Sequence, residues 1–525
     1  MPKKSKPIKE GLLIFLLSIT AVIVHGYQFA VSDQEIFIPY ILKSQNPTLF
    51  PNDSLFNQSS AHASLFYPVI GFLTKFFDLQ VVFFVGYLIF QFAFFVALYR
   101  LAKVLIKDKN LAYFSLLPFL LPKFIGGTST MTFDPSFGYR SIGVIFLIFY
   151  LSFLLEKKFA KSVTVALVGL LFHPLSIVPV ILILPVLKVY DSRSKLKDIF
   201  RYLFVPSFAI MIIFLLLRNN FTKELFVVKD NGWLSVIRLR DNYLFISTWH
   251  LRAWEAFALP LTLIILFINR LDKNIKRIII ILSLVSLSIF TANFFLLEIL
   301  KIPSLAQFQL VRAIVPIAYI GLIISPLFLI SSNRLVKFLG TISFIFLCLN
   351  LFDLFLISTI LFSISLVLNR GKFQKEISTK PVFLIFSAII FLNLIINTKS
   401  YLDFKEKIQF PKSQNDWINV QIWAKQNTQE NETFLVPPSR TGFRIFSHRP
   451  IVGDIKDGAV VIYSSSFAKE WNQKISDLSN YQKMDENDFL NLQKKYRFKF
   501  IVTANDQNLP FKKVYENKSF SVYKI

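Results

Sequence analysis

Hydrophobic stretches long enough to cross a bilayer recur along this chain. The connections between them alternate between short basic segments and longer segments with acidic and aromatic residues. A spanning helix needs roughly 20 mostly apolar residues, because no water satisfies exposed peptide groups in the hydrocarbon. About thirteen segments approach this requirement. They lie near residues 11–31, 80–99, 110–124, 141–155, 161–173, 174–190, 201–217, 255–269, 277–298, 313–331, 336–352, 354–369 and 381–398.

Composition supports the same interpretation. Hydrophobic residues make up 54% of the 525 residues, 60 of them are Phe, and the mean hydropathy is +0.54. One soluble core cannot bury so much apolar surface, since single cores stop growing at roughly 250–300 residues. We therefore expect an all-α polytopic membrane protein with about 13 transmembrane helices.

Lys and Arg residues follow a two-sided pattern along the chain. Every second connection is basic, beginning with the lysines that precede the first span. The positive-inside rule makes that side cytoplasmic and leaves the C-terminal tail outside. The pattern also accounts for the formal charge of +26. Because the basic residues are scattered over many loops rather than gathered in one stripe, we expect no nucleic-acid partner.

Two domains are predicted. Residues 1–399 form the multi-span part, and its outer loop 32–79 alternates polar and aromatic residues in a way that suits helices lying on the membrane surface. Residues 400–525 are mixed in polarity and predict a small extracytoplasmic α/β domain. Its helices are expected at 415–427, 467–478 and 485–496, and its strands in TFLVPP, GFRIFS, FKFIVTA, KVYEN and SFSVYKI.

An acidic pair, Asp33 and Glu35, follows the first span. In an extended turn the two carboxylates could converge, and they would then share a cation or divide the roles of base and electrostatic stabiliser. The alternative is a solvated helix start, in which Asp33 is the N-cap and Glu35 interacts with the helix dipole. Spacing alone does not separate these interpretations.

Three arginines on the same predicted face are candidates for binding a phosphate group. They are Arg312, which opens a span, Arg140 beside Tyr139, and Arg252 within an aromatic segment. Arginine suits this role because its planar fork grips two phosphate oxygens at once. The alternative is that these residues anchor the protein at the membrane interface and extend to lipid headgroups.

Further polar residues in the predicted outer loops are candidates for substrate contacts. Asp134 could orient a substrate hydroxyl or pair with Arg140, although an Asp-Pro sequence also opens turns. His173 and His62 could bind substrate or carry a proton, whereas a lone histidine more often belongs to a hydrogen-bonded break in a helix. In the tail, a basic cluster of Arg440, Arg444, His448 and Arg449 could meet a phosphate or stabilise the fold.

The architecture resembles the GT-C superfamily of integral-membrane glycosyltransferases. The similarity covers an acidic pair after the first span, surface helices in the first outer loop, many spans and an outer α/β tail containing FLVPPSRTGFRIFSHRPIVGDIKD. The resemblance implies sugar transfer from a polyprenyl-phosphate donor to a glycan or lipid acceptor on the outer face of a bacterial inner (plasma) membrane. The lipid-linked phosphate of such a donor would be the ligand of Arg312, Arg252 and Arg140. It also implies that Asp33 is the catalytic base and Glu35 its partner, with or without a divalent metal ion. The sequence lacks a WWDYG-like stretch, so peptide glycosylation is not expected.

Two other classes of function remain open on the sequence. Intramembrane charges and broken helices also occur in transporters and flippases, which here would carry lipid-linked sugars. A non-catalytic envelope scaffold would tolerate replacement of Asp33 and Glu35. We place the enzyme first because the charged residues lie at one predicted interface and no repeated halves are visible.

Overall fold

The computed structural model describes residues 7–57, 64–181, 183–191, 227, 229–368, 387–389, 391–392, 408–409 and 415–525. Most of these residues are helical. Before the tail the α-helices are Pro7–His25, Gln34–Gln45, Phe66–Leu73, Leu79–Leu105, Lys109–Phe114, Tyr139–Leu155, Phe159–Phe172, Pro174–Ile181, Ile183–Asp191, Asn231–Arg240, Leu251–Phe267, Lys273–Phe294, Val315–Ile324, Arg334–Cys348 and Phe352–Leu368. Two of them, Gln34–Gln45 and Phe66–Leu73, lie in loop 32–79, as expected.

Within the described residues, four helical stretches are long and apolar enough to cross a membrane. They are Leu79–Leu105, Leu251–Arg270, Lys273–Ile299 and Pro303–Ile330. Shorter apolar helices accompany them at Glu10–His25, Tyr139–Leu155, Phe159–Phe172, Pro174–Leu187 and Phe352–Leu368. This is the architecture of a helical membrane protein, and the count of thirteen spans stays a prediction. The predicted span 201–217 and most of 381–398 lie outside the described residues.

One predicted span is wrong as a continuous helix. Residues 110–124 contain the six-residue helix Lys109–Phe114, a 3-10 turn at Leu117–Leu120 and a short strand that begins at Phe124. Pro118 and Pro122 each remove a backbone donor and clash with a preceding helical turn. The segment is nonetheless buried, because Leu117 and Leu120 are inaccessible to solvent.

Basic connections meet at one end of the helices, which we call the basic end. Lys109 lies 2.6 Å from Glu10, Arg100 lies 2.6 Å from Glu156, and Lys107 contacts Asp272. Four connections that are far apart in sequence therefore share one end of the molecule. The residues that follow the first helix lie at the opposite end.

The tail contains a four-stranded sheet with helices beside it. Its strands are β5 (Phe434–Leu435), β6 (Phe500–Ala504), β7 (Lys512–Glu516) and β8 (Phe520–Lys524), and the longer helices of the tail are Asp416–Asn427, Ser465–Asp477 and Glu486–Tyr496. The sheet order is β5-β6-β8-β7, with β5 parallel to β6 and the other pairs antiparallel. The predicted α/β character of the tail is confirmed. GFRIFS is the exception, because it forms the short helix Arg444–Ser447 instead of a strand.

The tail packs directly on the loops that follow the first helix. Strand β4 (Ile408–Gln409) pairs in parallel with β1 (Tyr27–Gln28). A 3-10 helix at Ile455–Tyr463 joins the hydrophobic core of the helical part through Val460, Val461 and Ile462. The tail and the first loop therefore lie on the same face of the protein.

Candidate functional site

A polar cavity of about 440 Å³ opens at the end opposite the basic end. Segments from all over the chain line it. Its charged lining residues are Asp33, Asp134, Arg140, Arg240, Asp241, Arg312 and Lys456, and His173, Gln309, Tyr139, Tyr243 and Tyr463 add further polar groups. Five of the eight residues selected from the sequence thus come together here: Asp33, Asp134, Arg140, His173 and Arg312.

Asp33 precedes helix Gln34–Gln45 but does not cap it through its side chain. Its Oδ1 instead accepts a 2.8 Å hydrogen bond from Nζ of Lys456, which belongs to the tail. Burial opposes ionisation of this carboxyl, but Lys456 and then Arg140 outweigh it and hold the pKa of Asp33 at about 2. Asp33 is therefore an anion engaged by a cation.

Glu35 does not line the cavity. Its side chain lies against Gly442 of the tail, where φ is 78° and an added Cβ would come within 3.3 Å of Cγ of Glu35. Burial raises the pKa of Glu35, and a hydrogen bond with Thr441 opposes that rise. The two carboxylates of the sequence motif therefore face different surroundings and do not converge on one ligand.

Asp134 and Arg140 belong to the predicted outer loop 125–140 and pair with each other. Nε of Arg140 donates to Oδ2 of Asp134 at 2.8 Å. The loop begins as a hairpin of strands β2 (Phe124–Ile125) and β3 (Thr130–Met131). The turn requires glycine, because Gly127 has a φ of 68° and an added Cβ would overlap the ring of Trp249.

Arg312 is a cation of the cavity without an ion pair among the described residues. It lies in a 3-10 turn that leads into the helical stretch Pro303–Ile330. Its Nε is buried without a hydrogen-bond partner in the described part of the chain, and its guanidinium lies 5.9 Å from the ring centroid of Tyr243. Such a group is suited to bind an anion, because an unsatisfied buried donor is costly.

His173 lines the cavity at a break between two helices. Its Nδ1 accepts the backbone N–H of Ser176 at 3.1 Å, so the ring caps helix Pro174–Ile181. The ring also lies 4.8 Å from that of Tyr139. This is the hydrogen-bonded role that the sequence left open beside a substrate role. His62 lies outside the described residues.

Arg252 is the predicted phosphate ligand that the structure does not bring to the cavity. It is 58% exposed and pairs with Asp353, to which Nη2 donates at 3.1 Å, and more loosely with Glu255. It borders a neighbouring, mostly apolar cavity of about 350 Å³. Two nearby carboxylates already compensate its charge.

Sequence reasoning missed three charged residues of the cavity. Lys456 comes from the tail, whereas Arg240 and Asp241 lie at the end of the helix Asn231–Arg240. Nothing local in the segment RLRDNYLF singles out Asp241. No local signal indicates that Lys456 lies beside Asp33, 423 residues earlier in the chain.

Arg444 does not belong to a phosphate-binding cluster. It forms what we call the Arg444 cluster, with Asp53 of the first loop and Asp457 of the tail. Four hydrogen bonds of 2.6–2.9 Å join the guanidinium to the two carboxylates, and all three side chains are at most 5% exposed. The cluster fastens the tail to the loop that carries Asp33.

The polar side chains that line the cavity do not resemble a preformed metal centre. Among the residues that the structure describes, no group of three His, Cys, Asp or Glu side chains is placed to hold a metal ion. Four cations and three carboxylates line the cavity, so it suits an anionic ligand better than a divalent cation.

Residues 415–478 match the sequence profile of a family described as a domain of unknown function (DUF6798). The match covers the part of the tail that carries Arg444, Lys456 and Asp457. Its description assigns no activity. No curated protein matches the chain significantly.

Proposed function

We propose that this protein is a GT-C-like membrane glycosyltransferase that takes its sugar from a polyprenyl-phosphate donor. The supporting observation is the convergence of Asp33, Arg140 and Arg312, from three separate loops, on one polar cavity beside apolar helices. A lipid-linked sugar phosphate has a polar, anionic head on an apolar chain. A cationic cavity next to membrane-type helices is complementary to both parts.

Arg312 is the proposed ligand of the donor phosphate. Its Nε and that of Arg240 are both buried without a hydrogen-bond partner in the described part of the chain. A phosphate between them would receive charge-assisted hydrogen bonds, each worth about 1.5–3 kcal/mol. The same contacts would stabilise the phosphate as it leaves the sugar.

The acceptor in this proposal is a hydroxyl group of an envelope glycan or lipid. The cavity lies on the face opposite the basic end, and the positive-inside rule makes that face extracytoplasmic in a bacterial inner membrane. In this arrangement the N-terminus is cytoplasmic and the tail extracytoplasmic, beside the donor.

The retained alternatives are a flippase, which would move the lipid without breaking its sugar bond, and a scaffold, which would bind no donor.

Binding of undecaprenyl phosphate, the product expected from the donor, tests the phosphate site. Purified full-length protein in detergent should bind it, and Arg312→Ala should weaken binding roughly ten- to hundred-fold, because a charge-assisted hydrogen bond is lost. Arg312→Lys should give an intermediate loss, since lysine keeps the charge without the bidentate fork. Arg334→Lys, an exposed change outside the cavity, is the matched control. Equal affinities for wild type and Arg312→Ala would remove Arg312 from the site.

Transfer itself separates the enzyme from the alternatives. Proteoliposomes containing the protein should release undecaprenyl phosphate from at least one member of a panel of undecaprenyl-phosphate sugars in the presence of envelope extract. Movement of intact donor without release would favour a flippase. Binding of none of these lipids would favour the scaffold.

Reporter fusions test on which side of the membrane the tail and the cavity lie. Alkaline phosphatase fused after Ile525 should be active, and the same enzyme fused after Lys372 should be inactive, because the reporter folds only outside the cytoplasm. An inactive fusion after Ile525 would place the tail and the cavity on the cytoplasmic face, where an outer-leaflet donor could not reach them.

A further inference from the structure

Asp241 differs from the other carboxylates of the cavity in its surroundings. The residue is 7% exposed and lines the cavity. Nη1 of Arg240 lies 3.8 Å from its Oδ1, which is beyond hydrogen-bond distance. Its Oδ2 is buried without a hydrogen-bond partner among the described residues. An unsatisfied buried carboxylate oxygen costs free energy and calls for an explanation.

The other two carboxylates of the cavity are already engaged. Asp33 accepts the Lys456 ammonium at 2.8 Å, and Asp134 accepts Nε of Arg140 at 2.8 Å. A carboxylate bound to a cation is a weaker proton acceptor, because transfer of a proton to it must also give up the ion pair. Asp241 is the acidic residue of the cavity that remains ready to accept a proton.

We infer that Asp241 is the general base of the proposed sugar transfer and that Asp33 is a positioning residue held by Lys456. The inference rests on the proposed function. The acceptor hydroxyl oxygen attacks the anomeric carbon, and its proton passes to the Asp241 carboxylate. The bond between the anomeric carbon and the donor phosphate oxygen breaks, and the phosphate leaves with the electron pair. Asp241 then returns the proton to water.

The electrostatic surroundings agree with this division of roles. Burial raises the pKa of Asp241 to about 6, although Arg240 and Arg312 oppose the shift. Asp33, Lys456 and Tyr243 also face the Asp241 carboxyl. A base is most effective when its pKa lies near the working pH, which favours Asp241 over Asp33, whose pKa is about 2. A donor phosphate bound to Arg312 would raise the pKa of Asp241 further.

The pH dependence of transfer in proteoliposomes distinguishes the two carboxylates. With the donor that supports release of undecaprenyl phosphate, the wild-type kcat/KM should fall below about pH 6 as Asp241 is protonated. Asp241→Asn should lower the rate roughly 10²- to 10⁴-fold and abolish this acid limb. Asp241→Glu should recover part of the rate together with an acid limb. Asp477→Asn, which lies in the tail outside the cavity, is the volume-matched control.

Asp33→Asn provides the decisive comparison. It should reduce the rate, because acceptor and tail are held less well, and it should keep the acid limb near pH 6. An Asp241→Asn protein that retains the limb, or an Asp33→Asn protein that loses it, would overturn the inference and leave the proposed function standing. If the wild-type protein transfers sugar from no donor, both the inference about Asp241 and the proposed function are overturned.

An infrared titration of the carboxyl C=O band checks the same assignment without turnover. Protein with isotope-labelled aspartate should show a carboxyl titrating near pH 6 that disappears in Asp241→Asn. Elution as a single species in size-exclusion chromatography shows that the variant folds. A band unchanged by Asp241→Asn would contradict the inference even if transfer is observed.

Discussion

Two groups of charged side chains join the tail to the first loop, and they differ in how completely their polar atoms are satisfied. In the Arg444 cluster, the guanidinium donates to both carboxylates, and Asp53 also accepts the backbone N–H groups of Leu55 and Ile451. The cluster is almost inaccessible to solvent. Nothing in it is left for a ligand.

The charges of the cavity are only partly paired. Lys456 binds Asp33, whose side chain is 49% exposed, while the Nε of Arg312 and Oδ2 of Asp241 have no partner among the described residues. Complete pairing in a dry site specifies structure, whereas open hydrogen-bond capacity beside a cavity indicates a ligand. The comparison supports a docking role for Arg444 and agrees with the roles proposed for Arg312 and Asp241.

The largest effect should follow loss of the Arg444 guanidinium. Arg444→Met leaves Asp53 and Asp457 buried without their cation, which costs about 3–5 kcal/mol. We expect the tail to become sensitive to limited trypsin digestion and the melting temperature to fall. Arg440→Met, an exposed change four residues away, is the control. Equal protease resistance of the two variants would mean that the cluster does not hold the tail.

Replacement of Asp241 by Asn should stabilise the folded protein, whereas replacement of Arg444 destabilises it. Its pKa rises from 3.8 to about 6 in the folded protein, so folding favours the protonated form. Stability should therefore fall as the pH rises from about 4 to 6 and stay lower above that range. Asp241→Asn mimics the protonated carboxyl and should add about 3 kcal/mol of stability at pH 8 and little at pH 4. Thermal unfolding of wild type and Asp241→Asn at the two pH values measures this difference. Equal shifts of the melting temperature at pH 4 and pH 8 would contradict the argument that burial raises the pKa of Asp241.

A smaller effect on stability is expected at Lys456. Lys456→Met breaks the bond to Asp33, but that half-exposed pair should contribute less than about 1 kcal/mol. The pKa of Asp33 should instead rise from about 2, because the partial desolvation of its carboxyl remains while its nearest cation is gone. Infrared titration of labelled aspartate measures the shift. Asp33 that still titrates near pH 2 in this variant would mean that Arg140 dominates.

The smallest effect should be that of Arg252→Ala. Arg252 is exposed, and its pairing with Asp353 should be worth less than about 1 kcal/mol. Affinity for undecaprenyl phosphate should match that of the wild type within twofold. A loss as large as that caused by Arg312→Ala would extend the phosphate site beyond the cavity and restore the role that the sequence suggested for Arg252.

Hydropathy alone predicted the helices that begin or end close to Asp33, Arg140 and Arg312, because apolar periodicity is a local property of the chain. Residues at helix ends on one face of a membrane protein must lie at similar depth. This is why five residues chosen from four separate segments line one cavity. Arg252 was also chosen because it lies near the predicted outer end of a span, but it lies outside the polar cavity. Depth in the membrane does not fix the position of a residue around the helix bundle.

The sequence by itself determined the class of the protein, the basic end, the acidic first loop and most of the secondary structure of the tail. Only the tertiary structure decided which charges meet. Asp53 and Arg444 are 391 residues apart, and their neighbours in sequence carry no sign of the pairing. Whether a charge is paired, buried or open to a ligand depends on the approach of distant segments and on the water they exclude, and these are properties of the fold rather than of any local pattern.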